Sequence, residues 1–275
     1  MRIAVLGAGH MGSWLVREMT AAHEVGVLDL DRAKAESLTG VRVLSQYADL
    51  ADFHPQLLIN AVSLSHTVMA FSSAVPYLQP ECWISDLASV KADLPGYYRA
   101  SPFRFASLHP MFGPTFANTK NLEEENVILI TESDPEAAAF FREFFRGLKL
   151  NIHEYSFDEH DRLISYSLTL PFASTIVFAA CLEVKTVPGT TFKKHYEIAR
   201  GLLAEDDDLL AEILFNRHSL GQLSRITARL EFLKHVIRDR DIEEAKKFFH
   251  GLRQNIETSK FLTAERNYAK KTPCF

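Results

Sequence analysis

Cysteine is scarce in this chain. Cys82, Cys181 and Cys274 are its three, they lie far apart, and none forms a C-x-x-C pair. That spacing excludes a disulfide framework and a cysteine-based metal site, and it suits a reducing compartment. A long run of lysine and arginine is missing too, and the formal net charge is -5. Nucleic acid and anionic membranes are held by concentrated positive charge, so neither partner is expected. No apolar run is expected to reach the roughly 20 residues that span a bilayer. The opening MRIAVLGAGHMG carries no cleavable signal pattern. Repeats and low-complexity segments are also absent. What is present is apolar mass: 275 residues, 47% hydrophobic and 24% charged, bury a large core and suit two domains. A cytoplasmic globular protein acting on a small molecule is the expectation.

Short apolar runs predict strands over residues 3–6, 24–28, 41–44, 56–62, 82–87, 104–108, 127–130 and 151–155. Helical patterns lie between them, in RAKAESL, HTVMAFSSAVPYL, SVKADLPGYY and PEAAAFFREFFRGL. Strands alternating with helices at this spacing predict an α/β fold, a Rossmann-type doubly wound parallel sheet. From residue 157 onward only helical signals remain. The stretch 165–181 is apolar nearly all round, which implies burial in a bundle or in a subunit interface. Stretches 220–237 and 242–256 carry apolar positions three and four apart, Val187-Pro188-Gly189 reads as a loop, and the final KKTPCF as a frayed tail. The expected layout is a dinucleotide-binding domain, 1–156, followed by an all-helical domain, 157–275, that binds substrate and forms a homodimer.

Gly7, Gly9 and Gly12 make a G-x-G-x-x-G that directly follows a strand and opens a helix. In that setting Gly7 permits the tight turn, Gly9 lets the backbone approach a pyrophosphate, and Gly12 allows close helix–strand packing. The helix N-terminus offers N–H groups and partial positive charge to the phosphates. His10 and Met11 within the turn, and Val62 and Ser63 at the end of the fourth strand, complete the expected cofactor contacts. Asp29 ends the second strand, where a carboxylate bonds the ribose hydroxyls and repels a 2'-phosphate, so NAD is favoured over NADP. Arg32 close behind is the residue that would pair with such a phosphate if Asp29 turned away, and Asp31 suits the cap of the next helix.

Two further segments lie at the carboxyl edge of the sheet, where ligands collect. Ser85-Asp86-Leu87-Ala88-Ser89-Val90-Lys91 follows a strand and is expected to begin a helix. Ser89 there is either an N-cap or a site residue, and Lys91, set against the helix dipole, implies an anionic partner nearby. His109 is held extended by Pro110, because the residue before proline is pushed out of the helical region. With an ordinary pKa near about 6.5 it is either a proton acceptor or a structural histidine.

GAGHMG, DLASVK and HPMFGP, in that order and spacing, resemble the prephenate dehydrogenase family of tyrosine biosynthesis, and Glu159-His160-Asp161 continues the likeness. The resemblance implies NAD-dependent oxidation of prephenate with loss of its ring carboxylate as CO2, giving 4-hydroxyphenylpyruvate. Arogenate, with an amino group in place of the keto group, is the alternative substrate. The resemblance assigns the substrate hydroxyl to His109 with Ser89 at the same centre, and points to Arg200 for a substrate carboxylate, with Lys193 and Lys194 as alternative cations. A solvated helix face is the other reading of the two lysines. It departs from the family where a second histidine is expected and this chain has Thr169-Leu170-Pro171-Phe172. His160-Asp161 is expected to cap the first long helix, and Gly113-Pro114 to turn the chain over the cleft. A 3-hydroxy acid dehydrogenase or imine reductase would use a lysine on that helix, and none lies between Arg162 and Cys181. A third reading, a non-catalytic NAD(H) sensor, has no use for a proton acceptor.

Overall fold

Backbone pairing confirms the alternation. The computed structural model describes residues 1–113, 121–183 and 187–258, so Pro114, Cys274 and the KKTPCF tail lie outside the described residues. Eight strands form one sheet: β1 Arg2–Leu6, β2 Glu24–Leu28, β3 Val41–Val43, β4 Leu57–Asn60, β5 Trp83–Asp86, β6 Phe105–Pro110, β7 Asn126–Ile130 and β8 Asn151–Tyr155. Their order is β3-β2-β1-β4-β5-β6-β7-β8. Strand order reverses between β1 and β4, which opens the crevice at their carboxyl ends that binds ligands in such sheets. β1 to β6 run parallel, but β7 lies antiparallel to β6, with β8 parallel to it. The sheet is therefore mixed rather than wholly parallel, as is common when reversed strands are added at an edge.

Alternate residues of β1 serve opposite faces, as the pleat requires. Ile3 and Val5 join Trp14 and Leu15 of α1 (His10–Met19) and Phe141 and Phe145 of α6 (Pro135–Gly147). Ala4 and Leu6 join Phe53 of α3 (Asp49–Phe53), Phe71 of α4 (Leu64–Ala74) and Tyr98 of α5 (Leu94–Ala100). Helix α2 (Arg32–Glu36) is capped by Asp31, which accepts from Ala33 N, as expected.

Beyond β8, Ser156 caps α7 (Phe157–Ile164) in a reciprocal capping box with Glu159. That corrects the assignment of the cap to His160-Asp161, which lie a turn further in. The helix widens into a π segment, Ser165–Thr169, and continues as α8 (Leu170–Ala180). Pro171 has no N–H for the carbonyl four residues back, and the wider turn just before it relieves the clash of its ring with the backbone. The joined run Phe157–Ala180 has a mean hydropathy of 1.6 in its most apolar part and is long and apolar enough, by length and composition, to cross a membrane. This corrects the expectation that no run reaches that length. The run begins with Asp158, Glu159, His160, Asp161 and Arg162, and it buries Ile164, Ser165, Thr169 and Ala173 within the chain. The rest of the apolar surface of α8 is covered only in part, so this helix is not the centre of a bundle within the chain.

Helices α9 (Thr190–Leu202), α10 (Asp207–Leu214), α11 (Ser219–Asp239) and α12 (Ile242–Thr258) follow. The last strand ends at Tyr155, yet the compact units divide later, into Met1–Leu223 and Ser224–Phe275. The first therefore holds the sheet together with α7 to α10. In the second, Phe232 and Phe248 meet at 5.0 Å and tie α11 to α12.

Candidate active site

The glycine turn has the shape a dinucleotide needs. Gly7 takes φ +93°, and a Cβ there would sit 2.9 Å from the Ala61 carbonyl oxygen. A Cβ on Gly12 would lie 2.1 Å from the Gly7 oxygen, so α1 reaches the turn only because that position is glycine. Beside Gly9 a Cβ would meet nothing within 4 Å, which leaves open space over the N-terminus of α1. No acidic residue lies in that helix's first turn. These features fit a pyrophosphate, and the chain's own residues would hold it through backbone N–H groups.

His10 is exposed at the helix start, while Met11 is half-buried and packs on the core. Asp29 Oδ2 accepts from Ala8 N at 2.5 Å and its Oδ1 from Asp31 N at 2.8 Å. The carboxylate is thus pinned across the ends of β1 and β2, with lone pairs left for two ribose hydroxyls. Arg32 is engaged with Glu36 at 2.7 Å and with Ser45 at 3.1 Å. Val62 N donates to Asn60 Oδ1, and the Ser63 hydroxyl lies 2.9 Å from His66 Nδ1. Ser63 does not cap α4 with its side chain; Glu212 of α10 accepts from Ser65 N at 3.0 Å instead. Burial, then the nearby Asp208 and Asp206, push the Glu212 carboxyl above its ordinary pKa.

Ser89 and Lys91 lie in the loop before α5, whose N-cap is Asp93, so neither opens a helix. Ser89 is half-buried there. Lys91 is wholly buried, and the anionic partner it implied is Asp86, 2.7 Å from its Nζ. The same Nζ donates to the Leu108 carbonyl at 2.6 Å, and Tyr98 OH donates to Asp86 Oδ1 at 2.7 Å. Burial pulls the Lys91 pKa down against the opposing pull of Asp86. Burial and Asp86 together hold the Tyr98 hydroxyl protonated far above its usual range.

His109, near the carboxyl end of β6, is 4% exposed, and its Nδ1 lies 2.9 Å from His160 Nε2. His160 Nδ1 in turn lies 3.0 Å from Asp161 Oδ1, which also accepts from Lys91 N at 2.9 Å. Asn216 Nδ2 donates to the Asp161 carbonyl at 2.9 Å. Burial, then His160, then Lys91 hold His109 well below its ordinary pKa, so its ring is neutral near pH 7. Burial lowers His160 as well, outweighing the hydrogen bond to Asp161. For Asp161 burial acts upward, but the bonds from His160 and Lys91 N prevail and keep it ionised. The loop after β5, the end of β6 and the start of α7 thus meet in one buried polar centre. Its members Asp86, Tyr98, His160, Asp161 and Asn216 were not among the expected site residues. The D-x-x-x-x-K spacing and the adjacent His-Asp pair were visible in the sequence, but not their convergence.

Arg200, Lys193 and Lys194 all lie exposed on α9, and Arg200 pairs with Glu197 at 2.5 Å. Helix α9 packs on α8 through Phe178 and Phe192. Phe172 is half-buried, and Thr169 bonds the Ser219 hydroxyl at 2.7 Å. Among the described residues no cluster of metal-ligating side chains occurs. A depression of about 420 Å³ at the opposite, amino edge of the sheet, lined by Arg2, His54, Trp83 and Arg104, contains none of the expected site residues.

No protein-family model matches the sequence, and no curated protein matches it. Solved structures match it in fold. A prephenate dehydrogenase from A. aeolicus, in complex with hydroxyphenyl propionate and NAD+, has a TM-score of 0.77 at 18% identity, over 94% of this chain and 98% of that one. The arogenate dehydrogenase of Synechocystis gives 0.68 at 19% identity, over 94% and 99%. An imine reductase from Pseudomonas sp. gives 0.52 at 17% identity, over 74% and 73%. Fold and glycine turn define the class: a Rossmann-type α/β protein with a helical C-terminal region. Within that class, the fold is the one these prephenate and arogenate dehydrogenases share.

Proposed function

We propose that the chain is an NAD-dependent dehydrogenase of the prephenate dehydrogenase family that oxidises and decarboxylates prephenate. The observation that carries this reading is His109: a buried, neutral imidazole at the carboxyl edge of the sheet, in the segment HPMFGP. The likeness in fold to dehydrogenases of both prephenate and arogenate supports the reaction type. The pinned Asp29 supports NAD over NADP. A cytoplasmic homodimer is part of the same reading.

When bound, the dinucleotide supplies the hydride acceptor. His109 takes the hydroxyl proton as the C–H bond on the same ring carbon breaks and a carbonyl forms. The bond from the ring to its carboxylate then breaks, CO2 leaves, and the electron pair aromatises the ring. The proton on His109 returns to the phenolate oxygen. Hydride and CO2 account for every atom lost from prephenate, so no proton is released. Ser89, in the loop after β5, is the hydroxyl proposed to share this centre. Cations for the two carboxylates come from Arg200, Lys193 or Lys194, exposed as they stand on α9.

Parallel assays with prephenate and arogenate, each with NAD and NADP, test the proposal. The fastest growth of reduced-cofactor absorbance is expected for prephenate with NAD, with 4-hydroxyphenylpyruvate as product. Faster turnover of arogenate reverses the substrate assignment, and dinucleotide binding without turnover of either supports a sensor. His109→Asn is expected to lose on the order of 10²- to 10⁴-fold in kcat with dinucleotide affinity retained.

A further inference from the structure

The three groups Asp161, His160 and His109 are 3%, 0% and 4% exposed, so their hydrogens are settled by one another. An ionised carboxylate only accepts, so the hydrogen between Asp161 Oδ1 and His160 Nδ1 sits on the nitrogen. A neutral imidazole with Nδ1–H carries its lone pair on Nε2. The hydrogen between His160 Nε2 and His109 Nδ1 therefore belongs to His109. His109 is left with a lone pair on Nε2.

We propose that Asp161 and His160 are positioning residues that lock His109 in its Nδ1–H tautomer, so that Nε2 takes the substrate hydroxyl proton, and that His160 shares the resulting charge. This rests on the reading of His109 as proton acceptor. As the substrate O–H bond breaks, the His109 Nε2–H bond forms. The His109 Nδ1–H can then pass to His160 Nε2, which brings the cation against Asp161. Both transfers reverse when the proton returns to the phenolate oxygen, and nothing is oxidised or reduced. Because the reaction releases no proton, the relay has no need of a path to solvent, which suits its complete burial. The charged and titratable groups packed around it are Asp161 on α7, Lys91 in the loop after β5, Asp86 behind Lys91, and Tyr98 on α5.

Two measurements on the full chain test this. In nitrogen-15 imidazole spectra at pH 7 with NAD present, both rings are expected as Nδ1–H tautomers, assigned with His109→Asn and His160→Gln. A hydrogen on His109 Nε2 overturns the proposal, whatever the substrate is. In kinetics, His160→Leu removes the acceptor for His109 Nδ1–H, while His160→Gln offers a side-chain oxygen in its place. The leucine variant is expected to lose about 10²-fold in kcat, and glutamine to recover about tenfold of that, both with dinucleotide Kd within about threefold of the parent. Equal losses point to packing alone and overturn the relay. Asp161→Asn keeps the oxygen that accepts both N–H groups and removes only the charge, so the acid limb of kcat/KM moves to lower pH; an unmoved limb overturns charge sharing. If the parent turns over neither prephenate nor arogenate, the functional reading falls while the spectra still decide the tautomer.

Discussion

His109 and His160 are buried as neutral rings, and that costs stability in acid. In the unfolded chain both rings take up protons as pH falls through 6.5, whereas in the folded chain both pKa values lie below it. The unfolded state then binds more protons, so stability declines as pH drops below 6.5, until the folded pKa values are reached. Urea unfolding at pH 7 and pH 5 is expected to show the parent losing more stability between the two than His109→Asn does, since the variant lacks one of the rings. The same shift leaves His109 competent as a base throughout the neutral range, so the acid limb of kcat/KM is expected below 6.5. His109 was legible as a candidate from its place before Pro110. Its low pKa comes from burial and from His160 and Lys91, which no local pattern joins to it.

At the scale of elements, the β1–α1 turn separates structure from binding within one motif. Gly12 and Gly9 look alike in the sequence, but a Cβ on Gly12 meets the Gly7 oxygen at 2.1 Å while one on Gly9 meets nothing within 4 Å. Gly12→Ala is expected to push α1 off the sheet and lower the thermal midpoint sharply. Gly9→Ala is expected to leave the midpoint unchanged and to weaken dinucleotide binding at least about tenfold, because the methyl occupies the path of the pyrophosphate. Calorimetry and a fluorescence titration of both variants check the contrast; equal loss of stability would show that Gly9 also serves packing. Helix α4 is the complementary case. Ser63 read as a plain cofactor contact, yet the N-terminus of its helix is served by Glu212, 147 residues away along the chain. A cap borrowed over that distance leaves no trace in local sequence, whereas the capping box of Ser156 and Glu159 does.

For the whole molecule, periodicity located the eight strands of the sheet and helices α11 and α12. It could not place the reversal of β7 or the late division at Leu223, since both depend on contacts between distant segments. The nearly all-round apolar stretch 165–181 posed a choice between a bundle centre and a subunit interface, and the fold narrows it. Val177 on α8 and Ile198 on α9 are 48% and 59% exposed, on two helices that pack against each other. Apolar side chains left on adjoining helices favour association, because covering them removes apolar area from water at about 25 cal/mol per Å². The parent is expected to sediment at twice its 31.1 kDa chain mass. Val177→Asp combined with Ile198→Asp is expected to give the single-chain mass with dinucleotide affinity kept, since both residues belong to α8 and α9 and neither to the β1–α1 turn. A parent that sediments as one chain at micromolar concentration would exclude the dimer and leave these side chains as ordinary surface.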